Sequence, residues 1–372
     1  MVGALTNTEV FIIGGGPAGL AVAIAARQKG FQVTVADGAA PPIEKSCGEG
    51  MMPSTLAALS ALGVSFAPED GQRFRGISLV QNGAAVAADF PHGQGIGMRR
   101  PLLHERLVSR AESCGVRLLW KTPITGVDGN TVQLARSTIR AKWIVGADGQ
   151  GSRVRRWSGL DDGARSVHRY ATRRHFRLKP WSSHMEIHWA SHTQAYVTPI
   201  GAEEICVVMI GETAQHASFE SGLAEMPELA QKLAGAELCS RERGAVTAMR
   251  SLRRVYRNNV ALLGDASGGV DAITGEGLRM AFRQALALAD AMANSDLSQY
   301  QRAHRRIARR PMLMGNLLLW LGRNPRIRAR AICSMQQRPD LFARILSAHV
   351  GDATPAQLLS AGASLGWRFL AA

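Results

Sequence analysis

Apolar positions along this chain fall into two rhythms, and the switches between them mark its elements. Val10-Phe11-Ile12-Ile13 is a continuous apolar run of strand length, and Leu20 to Lys29 is alanine-rich with helical spacing, closed by Gly30. Val33-Thr34-Val35 alternates as a second strand and stops at Asp37. A loop follows, then a helix expected from Ser54 to Leu62 that ends at Gly63. Residues 73 to 95 alternate as short strands around Asn82-Gly83, a hairpin signal. The pattern returns to helix over 101 to 114 and to strands that finish at Asp148. From about 161 to 249 it is β-rich, with Met185 to Trp189 and Ile205 to Ile210 the clearest strands, and everything after about 296 reads as helical.

The turn between the first strand and helix is Gly14-Gly15-Gly16-Pro17-Ala18-Gly19. In that context it is a dinucleotide fingerprint. Gly14 permits a tight turn, Gly16 leaves room for backbone to approach a pyrophosphate, and Gly19 lets helix and strand pack closely, while the helix points free N–H groups at the phosphates. Asp37, about 20 residues further on, can accept hydrogen bonds from an adenosine ribose. Three later stretches narrow the choice of nucleotide. They are Ile144-Val145-Gly146-Ala147-Asp148-Gly149 with Ser152, Val154 and Arg155; the apolar run Val260 to Leu263 ending in Gly264-Asp265-Ala266; and Gly275-Glu276-Gly277-Leu278 opening a long helix. With the glycine loop they read as a flavin site.

This order of motifs resembles the flavoprotein monooxygenases of the para-hydroxybenzoate hydroxylase type and their relatives, the geranylgeranyl reductases, over about residues 8 to 295. The resemblance implies an α/β fold. Its Rossmann-like FAD-binding domain would be drawn from 1–72, 96–160 and 250–295, with an inserted β-rich substrate domain from 73–95 and 161–249 and a helical C-terminal region over 296–372. It implies FAD pyrophosphate along Gly14, Gly16, Pro17, Ala18 and Gly19, and the ribose at Asp37. Arg100, which opens an Arg-x-x-Leu-x-x-x-Leu helix start with Leu103 and Leu107, would face the cofactor, and backbone at Ile124 would meet the adenine. Asp148 belongs to an Asp-Gly element that supports FAD, Gly264 and Asp265 serve the ribityl and pyrophosphate region, and Gly275, Gly277 and Leu278 meet the flavin ring edge. NAD(P)H is the implied reductant.

Departures from the hydroxylase pattern lean toward the reductase branch. Thr274-Gly275-Glu276-Gly277 is one, and Lys45-Ser46-Cys47-Gly48-Glu49-Gly50 is another, placed where the reductases carry a Cys-Gly element near the flavin. Cys47 and Glu49 are accordingly the candidate catalytic residues. Tyr196 and Pro199, in a stretch that lacks the Trp-x-Trp-x-Ile-Pro of halogenases, are the candidate substrate contacts, and Arg165 to Lys179 reads as a polar, arginine-lined entrance. On the breadth of the family, the preferred activity is NAD(P)H-dependent hydroxylation of a hydrophobic or aromatic small molecule. Reduction of an isoprenoid or lipid double bond is the alternative, and a non-catalytic escort for prenylated or lipid-bearing clients on the same fold is a third reading.

Composition sets wider bounds. At 372 residues, 46% hydrophobic and 20% charged, the chain holds a sizeable core, and the N-terminus enters the first strand without a signal-peptide pattern. The odd set Cys47, Cys114, Cys206, Cys239 and Cys333 suits reduced thiols in a cytoplasmic setting. His184, His188 and His192 recur every four residues, but on a strand pattern that gives no metal site. The net charge of +15 comes from scattered arginines without a nucleic-acid module. Arg302 to Arg310 precede an apolar run from Pro311 to Leu321 that is too short to span a bilayer. The preferred reading of that run is a helix packed on the body, and the alternative is one lying in a membrane interface.

Overall fold

The computed structural model describes residues 6–45, 47–163 and 167–350. Ser46, Arg165 and the stretch 351–372 therefore lie outside the described residues.

Five parallel strands make the centre of the first sheet, in the order Val260–Leu262, Thr138–Gly146, Thr6–Ile13, Val33–Ala36 and Arg117–Leu119. Strands buried on both faces need continuous apolar runs, which is why Val10 to Ile13 carries no alternation; all four side chains are at most 5% exposed. Helix Pro17–Gln28 covers this sheet, and helix Gly277–Ala293 packs against that helix.

The second sheet has nine strands and is antiparallel except where Met185–Trp189 pairs with Gly76–Gln81. The hairpin expected at Asn82-Gly83 is present: both residues have positive φ, 50° and 78°, between Gly76–Gln81 and Ala84–Asp89. A three-stranded sheet, Gly50–Met51, Gln72–Phe74 and Gly95–Gly97, straddles the expected boundaries at 72 and 95. Two short helices, Phe219–Ala224 and Pro227–Leu233, interrupt the segment expected to be β-rich.

Helices Leu297–Arg323, Pro325–Gln337 and Pro339–Val350 complete the described chain. The last two cap the second sheet, where Ile332, Met335, Phe342 and Leu346 pack against Phe74, Ile77 and Val86.

Candidate active site

A cavity of about 330 Å³ opens between the two large sheets, and the glycine loop forms one lip of it. Gly14 has φ +112°, and a Cβ there would collide with the Ala147 carbonyl; one at Gly19 would collide with the Gly14 carbonyl. These two glycines let the loop close on its neighbours. Gly16 differs, since a Cβ there meets nothing within 4 Å, and it borders the cavity with Pro17 and Ala18 at the start of helix Pro17–Gln28. Asp37 accepts hydrogen bonds from the Gly15 N–H at 2.7 Å and the Ala39 N–H at 2.8 Å, which holds the loop against the end of the second strand. The ring of Trp120, a residue no motif singled out, lies where a Cβ on Gly15 would fall.

Opposite the loop, Gly264 takes φ +59° and its N–H donates to Gln284 Oε1 at 3.0 Å. Asp265 borders the cavity and pairs with Lys45 at 2.6 Å, both side chains being about half exposed. Behind this turn Ser267 donates to the Gly264 carbonyl and lies 2.9 Å from His304 Nε2. Burial drives the His304 imidazole down to about 4 from its usual range, with the Arg305 charge adding to the effect. Gly275, in the left-handed region at φ +65°, turns the chain into helix Gly277–Ala293, and Gly275, Gly277 and Leu278 all border the cavity.

Cys47 and Glu49 reach the cavity on one loop, with Arg100 beside them. Glu49, at φ +59°, is 3% exposed, and both its carboxylate oxygens are engaged. Oε1 accepts from the Arg100 backbone N–H and from Arg173 Nη1, each at 3.0 Å, and Oε2 lies 2.7 Å from His175 Nε2. The candidate catalytic carboxylate is thus the hub of a buried ionic cluster, which suits holding the loop better than proton transfer. The Cys47 thiol accepts from the Glu49 backbone N–H at 3.4 Å and lies 3.9 Å from Arg100 Nη1. Glu49, His175 and Cys206 bring potential ligand atoms within 4.8 Å of one another, but the Arg173 guanidinium already supplies the positive charge there. The Cys206 thiol is pushed well up by its burial.

Four expectations are revised by the geometry. Tyr196 faces the cavity, its hydroxyl tied to the Ile273 carbonyl at 3.0 Å, whereas Pro199 sits three residues along the same strand and so on the other face, its carbonyl against Gly97. The Asp148 carboxylate turns to the start of helix Arg153–Trp157, accepting from Ser152 Oγ and the Arg153 N–H, while its neighbours Ala147 and Gly149 border the cavity. Ile124 is a buried strand residue outside the cavity lining, near the Thr122 N–H that donates to the Asp37 carbonyl. The arginine-lined entrance is not formed by the described residues of that segment: only Ala171 borders the cavity, and Arg169 and Arg173 are 4% and 0% exposed and paired with Asp271, Glu44 and Glu49.

Asp271 and Glu276 were missed as candidates, although both fall inside the Gly264 to Gly277 segment. They border the cavity, are at most 1% exposed, and each commits one oxygen to an arginine, Arg169 or Arg279. The other oxygens, Asp271 Oδ2 and Glu276 Oε1, have no hydrogen-bond partner.

A cradle with open space at Gly16, helix N-termini at Pro17 and Gly277, and a buried Arg100 Nε without a partner fit an anionic, extended cofactor. Comparison with known proteins agrees. The model of the FAD binding domain family matches residues 7–299, and the chain belongs to that family. It is an FAD-dependent oxidoreductase. Over 80% of its length it is 25% identical to the menaquinone reductase of Mycolicibacterium smegmatis, covering 79% of that protein. Over 78% it is 26% identical to digeranylgeranylglycerophospholipid reductase 1 of Methanococcoides burtonii, covering 76%. A flavoprotein/dehydrogenase structure from Cytophaga hutchinsonii superposes with a TM-score of 0.79 at 18% identity, with 93% of each chain covered.

Proposed function

We propose that this enzyme saturates an isolated carbon–carbon double bond in a hydrophobic, isoprenoid-bearing substrate, with NAD(P)H as reductant. The observation that carries this reading is the cavity wall facing the cofactor loops. Ala171, Met185, Val208 and Ile210 supply aliphatic surface, and the hydroxyl of Tyr196 is turned away to the Ile273 carbonyl. Such a wall suits a hydrocarbon chain better than the ionised phenol that a hydroxylase of the para-hydroxybenzoate type must orient. The relatives that match over about four-fifths of the chain support the same choice, being named for reduction of menaquinone and of digeranylgeranylglycerophospholipid, both of which carry polyisoprenoid chains. This reverses the preference drawn from the breadth of the family.

Bound FAD supplies the two-electron chemistry. The chain's part would be to hold it with the Gly14–Gly19 loop, the Gly264-Asp265 turn and Gly277 and Leu278, all of which border the cavity or shape its lip, and to keep water from the apolar wall. Cys47 and Arg100 stand at the loop where the substrate and the ring would meet. Turnover in oxygen-18 gas, with isoprenoid and phenolic candidates compared by product mass, tests the reading. A product that gains two hydrogens and forms without oxygen is expected. Incorporation of label would overturn it in favour of hydroxylation.

A further inference from the structure

We propose that the outward face of helix Leu297–Arg323 is an interfacial anchor for membranes containing anionic lipid. At about 100° per residue, Arg302, Arg306, Arg309, Leu313, Leu317 and Trp320 fall on one stripe, and all six are exposed. Leu313 is 70%, Leu317 45% and Trp320 49% exposed, which places three large apolar side chains of one helix in water. The opposite side is packed: Pro311 and Gly315 are buried, Gly315 lies against Thr274, and Leu318 and Leu321 rest on the cluster that holds Tyr196 and Ile273. The helix is therefore seated on the cavity wall by one face, and its other face is apolar without a covering element among the described residues.

Charge identifies what covers it. From Leu297 to Gln337 the sequence has nine arginines and no acidic residue. Arg323, Arg326 and Arg330 lie exposed beyond Trp320, so the apolar patch is bounded by arginines at both ends. An anionic bilayer surface satisfies both parts at once: the arginines meet lipid phosphates while the leucines and the indole enter the headgroup and acyl boundary. A nucleic acid would use the arginines and leave Leu313 and Trp320 in water. No described helix is long and apolar enough to cross a membrane, so this contact lies on the surface. The inference does not depend on which reaction the cavity performs.

The test is sedimentation of the FAD-loaded full chain with vesicles of phosphatidylcholine alone or mixed with phosphatidylglycerol, in low and high salt. Binding to the anionic vesicles is expected, and the variant L313S/L317S/W320S, with its arginines intact, should lose it by about tenfold or more. Arg306→Gln with Arg309→Gln should reduce the preference for anionic lipid. Retained flavin and turnover in each variant show that the fold survives. Equal binding by the triple variant would overturn the proposal, since adsorption would then be diffuse attraction to a chain of net charge +15. So would wild-type protein that ignores vesicles but binds duplex DNA, or that self-associates through this face.

Discussion

A methyl group added at Gly16 and one added at Gly19 meet opposite fates, although the two residues share one loop. At Gly19 it strikes the Gly14 carbonyl, so Gly19→Ala should cost about 1–3 kcal/mol of stability, read as a lower denaturation midpoint. At Gly16 it enters open space beside the cavity. Gly16→Val should therefore fold and be purified colourless, and Asp265→Ala should retain less FAD; wild-type flavin content in both would overturn the cradle. Cys47→Ala should change turnover or product distribution while FAD occupancy stays near wild type, because its thiol borders the cavity and its contact within the loop, the Glu49 N–H at 3.4 Å, is weak beside the contacts that Glu49 makes. Unchanged kinetics would return Cys47 to the class of packing thiols. These glycines were legible in the sequence because what they satisfy is local: a φ, a close approach, a helix start. Asp271 and Glu276 were not, since what distinguishes them is a buried oxygen left unpartnered at the cavity, and no spacing rule encodes that.

At the scale of elements, strand Val167–Arg177 shows where sequence reading stops. Arg169, Ala171, Arg173 and His175 alternate inward as a strand requires, but arginines at that period look like a wet surface until Asp271, Glu44 and Glu49 arrive from elsewhere in the chain. Helix Leu297–Arg323 was equally ambiguous, because its single apolar run serves a packed face and an exposed one. That helix also carries a pH dependence. The His304 imidazole is held down to about 4 in the folded protein, against about 6.5 in an unfolded chain. Between those values the unfolded chain binds a proton that the folded one refuses, so this contribution to stability is complete above about pH 6.5 and lost as pH falls toward 4. By pH 5 the loss should reach about 2 kcal/mol. His304→Gln should flatten that slope in urea titrations at pH 7 and 5. An equal slope in the variant would place the acid sensitivity elsewhere.

Across the whole molecule, the two large sheets are joined at the Cys47 to Gly50 loop, and the join is electrostatic as much as apolar. Glu49 comes from the cofactor side, Arg173 and His175 from the second sheet, and all three side chains are fully buried. Taking the Glu49 and Arg173 charges out of water is costly, so the cluster holds only while each is paired. Glu49→Ala leaves Arg173 with Glu44 alone and frees the Arg100 N–H as well, and should cost about 3–5 kcal/mol. The exposed pair Lys29–Asp290 is the control: Asp290→Ala should change stability by less than about 1 kcal/mol. Because Arg100 stands between the cluster and the cofactor cradle, Glu49→Ala should also weaken FAD retention, whereas Asp290→Ala should not. Denaturation followed in parallel by flavin fluorescence and by far-ultraviolet circular dichroism distinguishes the outcomes. If the two sheets fold as one unit through this cluster, both signals shift together in the Glu49 variant. A variant that releases flavin early while the bulk of the secondary structure melts at the wild-type midpoint would mean that the cluster secures only its own loop.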